Sequence, residues 1–360
     1  MSPRPAPRRR RIILAAARLG VVVAVAALVV WKFDIHEIKQ AFHITSWPFL
    51  VGAVAANFAS VAFKGLAWKG VVDGLPSMRG RTRFRDLLSP LFVGFLFNTL
   101  LAARVGEFVK VLLARRRLKA RGHGDISATS LLGSVVVENL VSTVTWVMLV
   151  VGIGLFLPLP GYAWVASLSL GVACLAIIVL ALLTSRRTSP LPPWLRSGSL
   201  WARIRRAGER AWTAVQESHV ALRHGRLLGL VSGASLATWF AQWGGIFLTL
   251  QAFGLGRVGW GGAGLLLVTV TLAQAFPVLP GNLVVFQAAA VLPLTASYGV
   301  GAADAIAFSI VLQGTEAMVG VVVGFLFLVA EGAGFGQLRR EAEEEERLAS
   351  ETDAADPVAG

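Results

Sequence analysis

Long apolar runs follow one another along this chain, at about residues 12–31, 46–64, 86–114, 127–157, 161–184, 227–253, 261–298 and 302–330. Crossing a hydrocarbon layer of about 30 Å takes roughly 20 helical residues, so six of these runs predict one membrane helix each. The other two are built differently. Run 86–114 has Arg79, Arg81, Arg83 and Arg85 before it and Arg115, Arg116, Arg117, Lys119 and Arg121 after it. Short loops rich in Lys and Arg stay in the cytoplasm. With both flanks on one side, the run must enter and return. As helix it supplies about 43 Å, and two full crossings need about 60 Å. A hairpin dipping into the bilayer fits, broken near Asn98-Thr-Leu-Leu-Ala-Ala-Arg104-Val-Gly106-Glu107.

Run 261–298 is the second exception. Residues 258–303 hold no Asp, Glu, Lys or Arg, and their centre is broken by Pro277-Val-Leu-Pro280-Gly281-Asn282. The expected fold class is all-α: a membrane bundle of six spans plus two opposed re-entrant hairpins, both termini cytoplasmic. The alternative makes each hairpin a single span, giving eight. Broken helices in corresponding halves are the pattern expected around a transporter's midplane site.

Composition and charge agree with a membrane bundle. The chain is 55% hydrophobic, only 15% charged, and has a mean hydropathy of +0.68; a soluble domain carries about 25% charged residues. The net charge of +14 does not point to nucleic acid, because the basic residues bracket the apolar runs. Only Lys32, Lys39 and Arg257 fall on the outer side of this arrangement, with Arg18 inside the first span. The lone Cys174 excludes an intramolecular disulfide, and the five histidines form no metal-ligand spacing. No metal and no cofactor is expected. The domains are a basic N-terminus, 1–11, a transmembrane domain, 12–330, and an acidic tail, 331–360. Within the transmembrane domain, loop 185–226 carries the Trp- and Arg-rich stretch Leu200–Trp212, suited to anionic headgroups.

Ionisable groups inside the apolar runs are the first candidates for function, since each is costly there. Arg104 offers a planar donor fork for a phosphate-like anion, with Glu107 three residues on and Gly106 permitting close backbone approach. Glu138 and Glu316 stand in runs without a neighbouring base and need partners from elsewhere, for which Arg104 is the candidate. Asn57, Asn98, Asn282, Gln274 and Gln287 could complete a polar cavity. Gly320-Val-Val-Val-Gly324 reads as a helix-packing motif. No nucleophile–base pair or phosphate loop is readable, so no enzyme is expected.

These residues carry a family resemblance. Asn98-x3-Ala102-x-Arg104-x-Gly106-Glu107 resembles the Asn-x3-Pro-x-Arg-x-Gly-Glu motif of the lysylphosphatidylglycerol synthase transmembrane-region family. Val135-Val-Val-Glu138 is similar to that family's next membrane acid. Leu279-Pro280-Gly281-Asn282-x3-Phe286-Gln287, with Tyr298-Gly299-Val300, is similar to its C-terminal Pro-Gly motif. There are departures: Ala102 stands for the usual Pro, Asn139 and Ser142 where Arg and Asp are frequent, and Gln287 and Gln313 where Glu and His are frequent. The soluble aminoacyltransferase domain of the full-length synthases has no counterpart in these residues. The resemblance implies an inner-membrane protein that translocates or accommodates an anionic lipid, either a phospholipid or a polyprenyl-phosphate-linked glycan. Its expected substrate-binding residues are Arg104, Glu107, Glu138, Glu316, Asn98, Gly106, Asn282 and Gln287. Two other readings remain: a non-catalytic partner docking a membrane glycosyltransferase or lipid-modifying enzyme through 185–226, and a glycosyltransferase using Asp34 and Glu37.

Overall fold

The computed structural model describes residues 42–78, 81–100, 105–123, 126–156, 225–275 and 284–331, with scattered helical positions between 161 and 176. The expected first span, residues 185–224 of the expected loop, the Pro277–Asn282 break and the acidic tail after Glu331 lie outside them, while Gly225 and Arg226 belong to the next helix. Among the described residues there are helices and no strand. They are α1 (Trp47–Asp73), α2 (Phe84–Leu100), α3 (Val105–Ala120), α4 (Ala128–Phe156), α5 (Gly225–Ala252), α6 (Gly259–Ala275), α7 (Val285–Tyr298) and α8 (Ala302–Ala330). Trp47–Asp73, Ala128–Phe156, Gly256–Gln274 and Ala302–Ala330 are long and apolar enough to cross a membrane.

Local sequence explains where these helices stop and start. Pro48 falls in the first turn of α1, where its missing N–H removes no helical bond. The end of α3 is a Schellman turn: Gly122 takes φ +76°, Gly122 N donates to Lys119 O, and His123 N donates to Leu118 O. Gly254 closes α5 in the same way at φ +68°. Ser127 Oγ accepts the Ser130 N–H at 2.9 Å and caps the start of α4.

The chain divides into two compact units. One comprises residues 54–245 and 316–360. In it α2 and α3 fold back on each other as a helical hairpin. Their far ends meet: Arg117 Nη1 donates to the Arg85 carbonyl at 3.0 Å, and Arg121 Nε lies 3.0 Å from Oδ1 of the buried Asp86. The start of α2 and the end of α3 therefore lie side by side in this unit. The end of α8 is tied to the same base. Arg117 Nη2 lies 2.7 Å from Glu331 Oε1, and the Ser89 hydroxyl donates to the same carboxylate.

Close backbone contacts hold this unit together. A Cβ on Gly324 would stand 2.5 Å from the Phe92 carbonyl oxygen and 2.8 Å from Leu96 Cβ, so the GxxxG pattern of α8 packs directly on α2. A π-turn at Val319–Val323 runs between its two glycines. Phe92 stacks between Phe58 of α1 and Phe327 of α8, at 5.5 and 5.6 Å. Around the base, Trp68, Val72, Leu87, Val111, Leu118 and Leu131 form a buried core. Trp239 of α5 donates its Nε1 to the Ser142 carbonyl of α4 at 2.9 Å.

The other unit comprises residues 1–53 and 246–315. Here α6 and α7 also fold back. Thr269 Oγ1 donates to Ala289 O at 2.8 Å, and a Cβ on Gly262 would stand 2.9 Å from the Tyr298 ring. The start of α6 therefore lies beside the end of α7. Val284, which precedes α7, takes φ 76°. A β-branched side chain is strained in that region.

Substituting Gly324 by Leu should destabilise the protein by about 2 kcal/mol or more, because the new side chain meets backbone that cannot turn away. Thermal unfolding in detergent reads this directly, and an unchanged midpoint would refute the contact.

Candidate functional site

Gly94 on α2 and Gly106 on α3 let the hairpin arms touch backbone to backbone. A Cβ on Gly106 would stand 2.0 Å from the Gly94 carbonyl oxygen, and one on Gly94 would stand 2.9 Å from the Gly106 oxygen. Asn98 works from the opposite arm. Its Oδ1 accepts the Gly106 N–H at 2.9 Å, satisfying one of the orphan donors at the start of α3. Its Nδ2 donates to Glu107 Oε1 at 3.3 Å. Glu107 sits in the first turn of α3, where the helix dipole favours a carboxylate.

Glu107 forms an i,i+3 ion pair with Lys110, while the expected pair with Arg104 falls outside the described residues. Lys110 Nζ lies 2.9 Å from Glu107 Oε2. The Lys110 side chain is only 3% exposed, and its ammonium sits 4.7 Å from the centroid of the Trp68 ring. Trp68 is fixed in turn, its Nε1 donating to Ser134 Oγ at 2.9 Å. Lys110 is thus enclosed by a carboxylate, an aromatic face and the hairpin.

Glu138 on α4 is buried and paired with Lys64 on α1. Lys64 Nζ donates to Glu138 Oε1 at 2.9 Å and to Asn139 Oδ1 at 3.1 Å. Sequence reasoning offered Arg104 as the partner of Glu138; Arg104 lies outside the described residues, and among them the partner is Lys64, which α1 carries within the helix because it continues to Asp73. Trp68, one turn after Lys64 on α1, lies under the Lys110 ammonium and bonds Ser134, one turn before Glu138 on α4, so the two ion pairs form one cluster.

Its height follows from helix arithmetic. Lys64 lies nine residues from the end of α1, Glu138 ten from the start of α4, and Lys110 ten from the end of α3. At 1.5 Å per residue each stands about 15 Å from the end of its helix at the basic foot, so the three are level with one another.

The remaining predicted site residues divide. Glu316, half-buried on α8, precedes by one turn the Gly320 that lies against Phe95 and Thr99. Gln287 belongs to the other unit. Its Oε1 accepts the Val284 N–H, and its Nε2 donates to Gln313 Oε1, each at 2.6 Å. Asn57 is buried on α1. Arg104 and Asn282 lie outside the described residues. Sequence reasoning missed Lys64 and Lys110. The signal for Lys64 was present, since Gly65-Leu-Ala-Trp68 and Val71-Val72 carry the apolar pattern past it. Lys110 stands inside the run 86–114 itself.

Comparison with known proteins gives a match to one family, described as the lysylphosphatidylglycerol synthase TM region, over residues 15–324. No curated protein and no solved structure matches the chain.

Breaking the Lys64–Glu138 pair from either side leaves a buried charge alone. Lys64→Met or Glu138→Met should each cost about 3 kcal/mol, whereas the double variant should recover most of that loss. Additive losses in a thermal or denaturant cycle would show that the two side chains do not pair.

Proposed function

The chain belongs to the lysylphosphatidylglycerol synthase transmembrane-region family, an integral membrane protein of a lipid-handling kind, and from that premise we propose that it binds an anionic lipid at the buried charge cluster and carries it between leaflets. The observation that supports this is the pairing of four ionisable groups, Lys64, Glu107, Lys110 and Glu138, at one level among apolar helices and beside the α2–α3 hairpin. Buried ion pairs do not in general add stability over apolar packing, and ionisable groups at membrane depth mark substrate paths. Stability alone is a poor reason for this cluster.

The hairpin α2–α3 enters the bilayer from its basic end and turns back inside it. Its arms have 17 and 16 residues, or about 25 Å each, short of a full crossing. The basic end faces the cytoplasm of a cell's inner membrane. Arg104 stands three residues before Glu107 in sequence, and this reading gives it the surplus positive charge beside a cluster whose two lysines and two glutamates cancel. A surplus positive charge suits a phosphate. The protein works without covalent chemistry, by holding a headgroup while the acyl chains stay in lipid. The lipid is a phospholipid or a polyprenyl-phosphate-linked glycan.

Transbilayer movement of fluorescent phosphatidylglycerol in proteoliposomes tests this. The wild-type chain should move the lipid, and Arg104→Ala and the Lys64→Met/Glu138→Met double variant should each be at least about tenfold slower, the loss of roughly 1.4 kcal/mol. Wild-type rates in both folded variants would remove the cluster from the path. A wild-type protein that moves no lipid would favour docking of a membrane glycosyltransferase through residues 185–226.

A further inference from the structure

The two ion pairs are not equivalent. Glu107 has two partners, Lys110 and Asn98, and its lysine is shut beneath Trp68. Glu138 has one: Oε1 takes the bond from Lys64, while Oε2 is buried with no hydrogen-bond partner among the described residues. An ionised carboxylate can accept about four hydrogen bonds, so Glu138 is thinly held. Lys64 is the accessible cation of the cluster, its side chain 20% exposed against 1% for Glu138. An ammonium has three donors, and among the described residues Lys64 spends two, on Glu138 and Asn139.

We propose that the phosphate of an anionic lipid takes Lys64 from Glu138, and that Glu138 takes up one proton from water as it is released. This rests on the lipid-binding reading of the same site. Phosphate oxygens accept from an ammonium as carboxylate oxygens do, so an arriving phosphate competes directly with Glu138 for Lys64. Asn139 keeps the ammonium in place during the exchange. Among the described residues a released Glu138 has no other cation free to receive it. The charged groups around the pair are Lys64 on α1 and Glu107 and Lys110 on α3, and Lys110 is already enclosed. On α4 the adjoining residue is the neutral Asn139, and α5, packed through Val231 and Ala234, carries only Arg226, at its start. Arg85 and Asp86 of α2 belong to the base, Glu316 of α8 is another acid, and Arg104 precedes α3 in sequence.

A lone buried carboxylate is far costlier than its neutral acid. Protonation keeps the balance: Lys64 and Glu138 sum to zero before binding, and Lys64, a singly charged phosphodiester and neutral Glu138 sum to zero after it. The loaded and empty sites then carry the same net charge through the hydrocarbon. In this scheme Glu138 is a competitor for the cation, not a contact of the lipid.

The sign follows. The bound state holds one more proton than the free state, so affinity rises as pH falls, by up to about tenfold per pH unit while Glu138 is ionised in the free protein. Calorimetric titration of the full chain in detergent with dihexanoyl-phosphatidylglycerol, in buffers of different protonation heat, counts the protons. Wild type should take up about one proton per lipid, a count that requires no variant to fold. Glu138→Gln should bind several-fold tighter, with no proton uptake and no pH dependence. Binding without proton uptake in the wild type would overturn the exchange while leaving lipid binding intact, and would be the outcome if Arg104 received Glu138. Absence of binding at every pH would overturn both. Soluble glycerophosphoglycerol should bind much more weakly with the same proton count. Equal affinity would support the exchange but identify the ligand as a free phosphodiester rather than a lipid.

Discussion

The contact between the backbones of Gly94 and Gly106 is the constraint on which the site depends. No side chain fits between the arms there, so α2 and α3 approach to the limit of backbone contact. That approach is what lets Asn98 reach the start of α3 and hold both the Gly106 N–H and the Glu107 carboxylate. Glu107 then fixes Lys110 one turn on, and Lys110 settles against Trp68 of α1. A larger residue at either glycine would part the arms and unseat the polar groups in turn.

Depth imposes the second constraint. In hydrocarbon every charge needs a partner at its own height, so helices of different length must come into register. Lys64, Lys110 and Glu138 do so because α1, α3 and α4 share one foot, where Asp73 accepts from the Thr82 N–H and hydroxyl, Arg121 meets Asp86 and Arg115 donates to the Ile126 carbonyl. The polar foot sets the zero from which each helix measures out its charged residue.

Much of this was legible in the chain. Long apolar runs with few charges gave the all-α membrane bundle, and the flanking arginines pointed to the folding back of α2 on α3. The glycine motif of α8 was correctly read as packing. Partner identity was not legible. Asn98, Gly106 and Glu107 are neighbours in sequence and their grouping could be read, but Lys64 and Glu138 are 74 residues apart, and their pairing depends on two helices being side by side. Lys64 was hidden by its own chemistry: a lysine at the edge of an apolar run looks like the first residue of a loop, although its long stem lets it belong to the helix interior. Lys110 was overlooked because the basic cluster five residues later dominates the same helix.

The tie at the foot of the hairpin also has a bearing on how the protein is made. Ser89 and Glu331 are 242 residues apart, and the same carboxylate is the counter-ion of Arg117. A chain emerging from the N-terminus inserts α2 and α3 long before Glu331 exists. Contacts so distant in sequence form late. The nascent hairpin therefore forms with its basic foot incompletely neutralised, and the arrival of α8 completes it, which makes α8 a late step in the maturation of this unit.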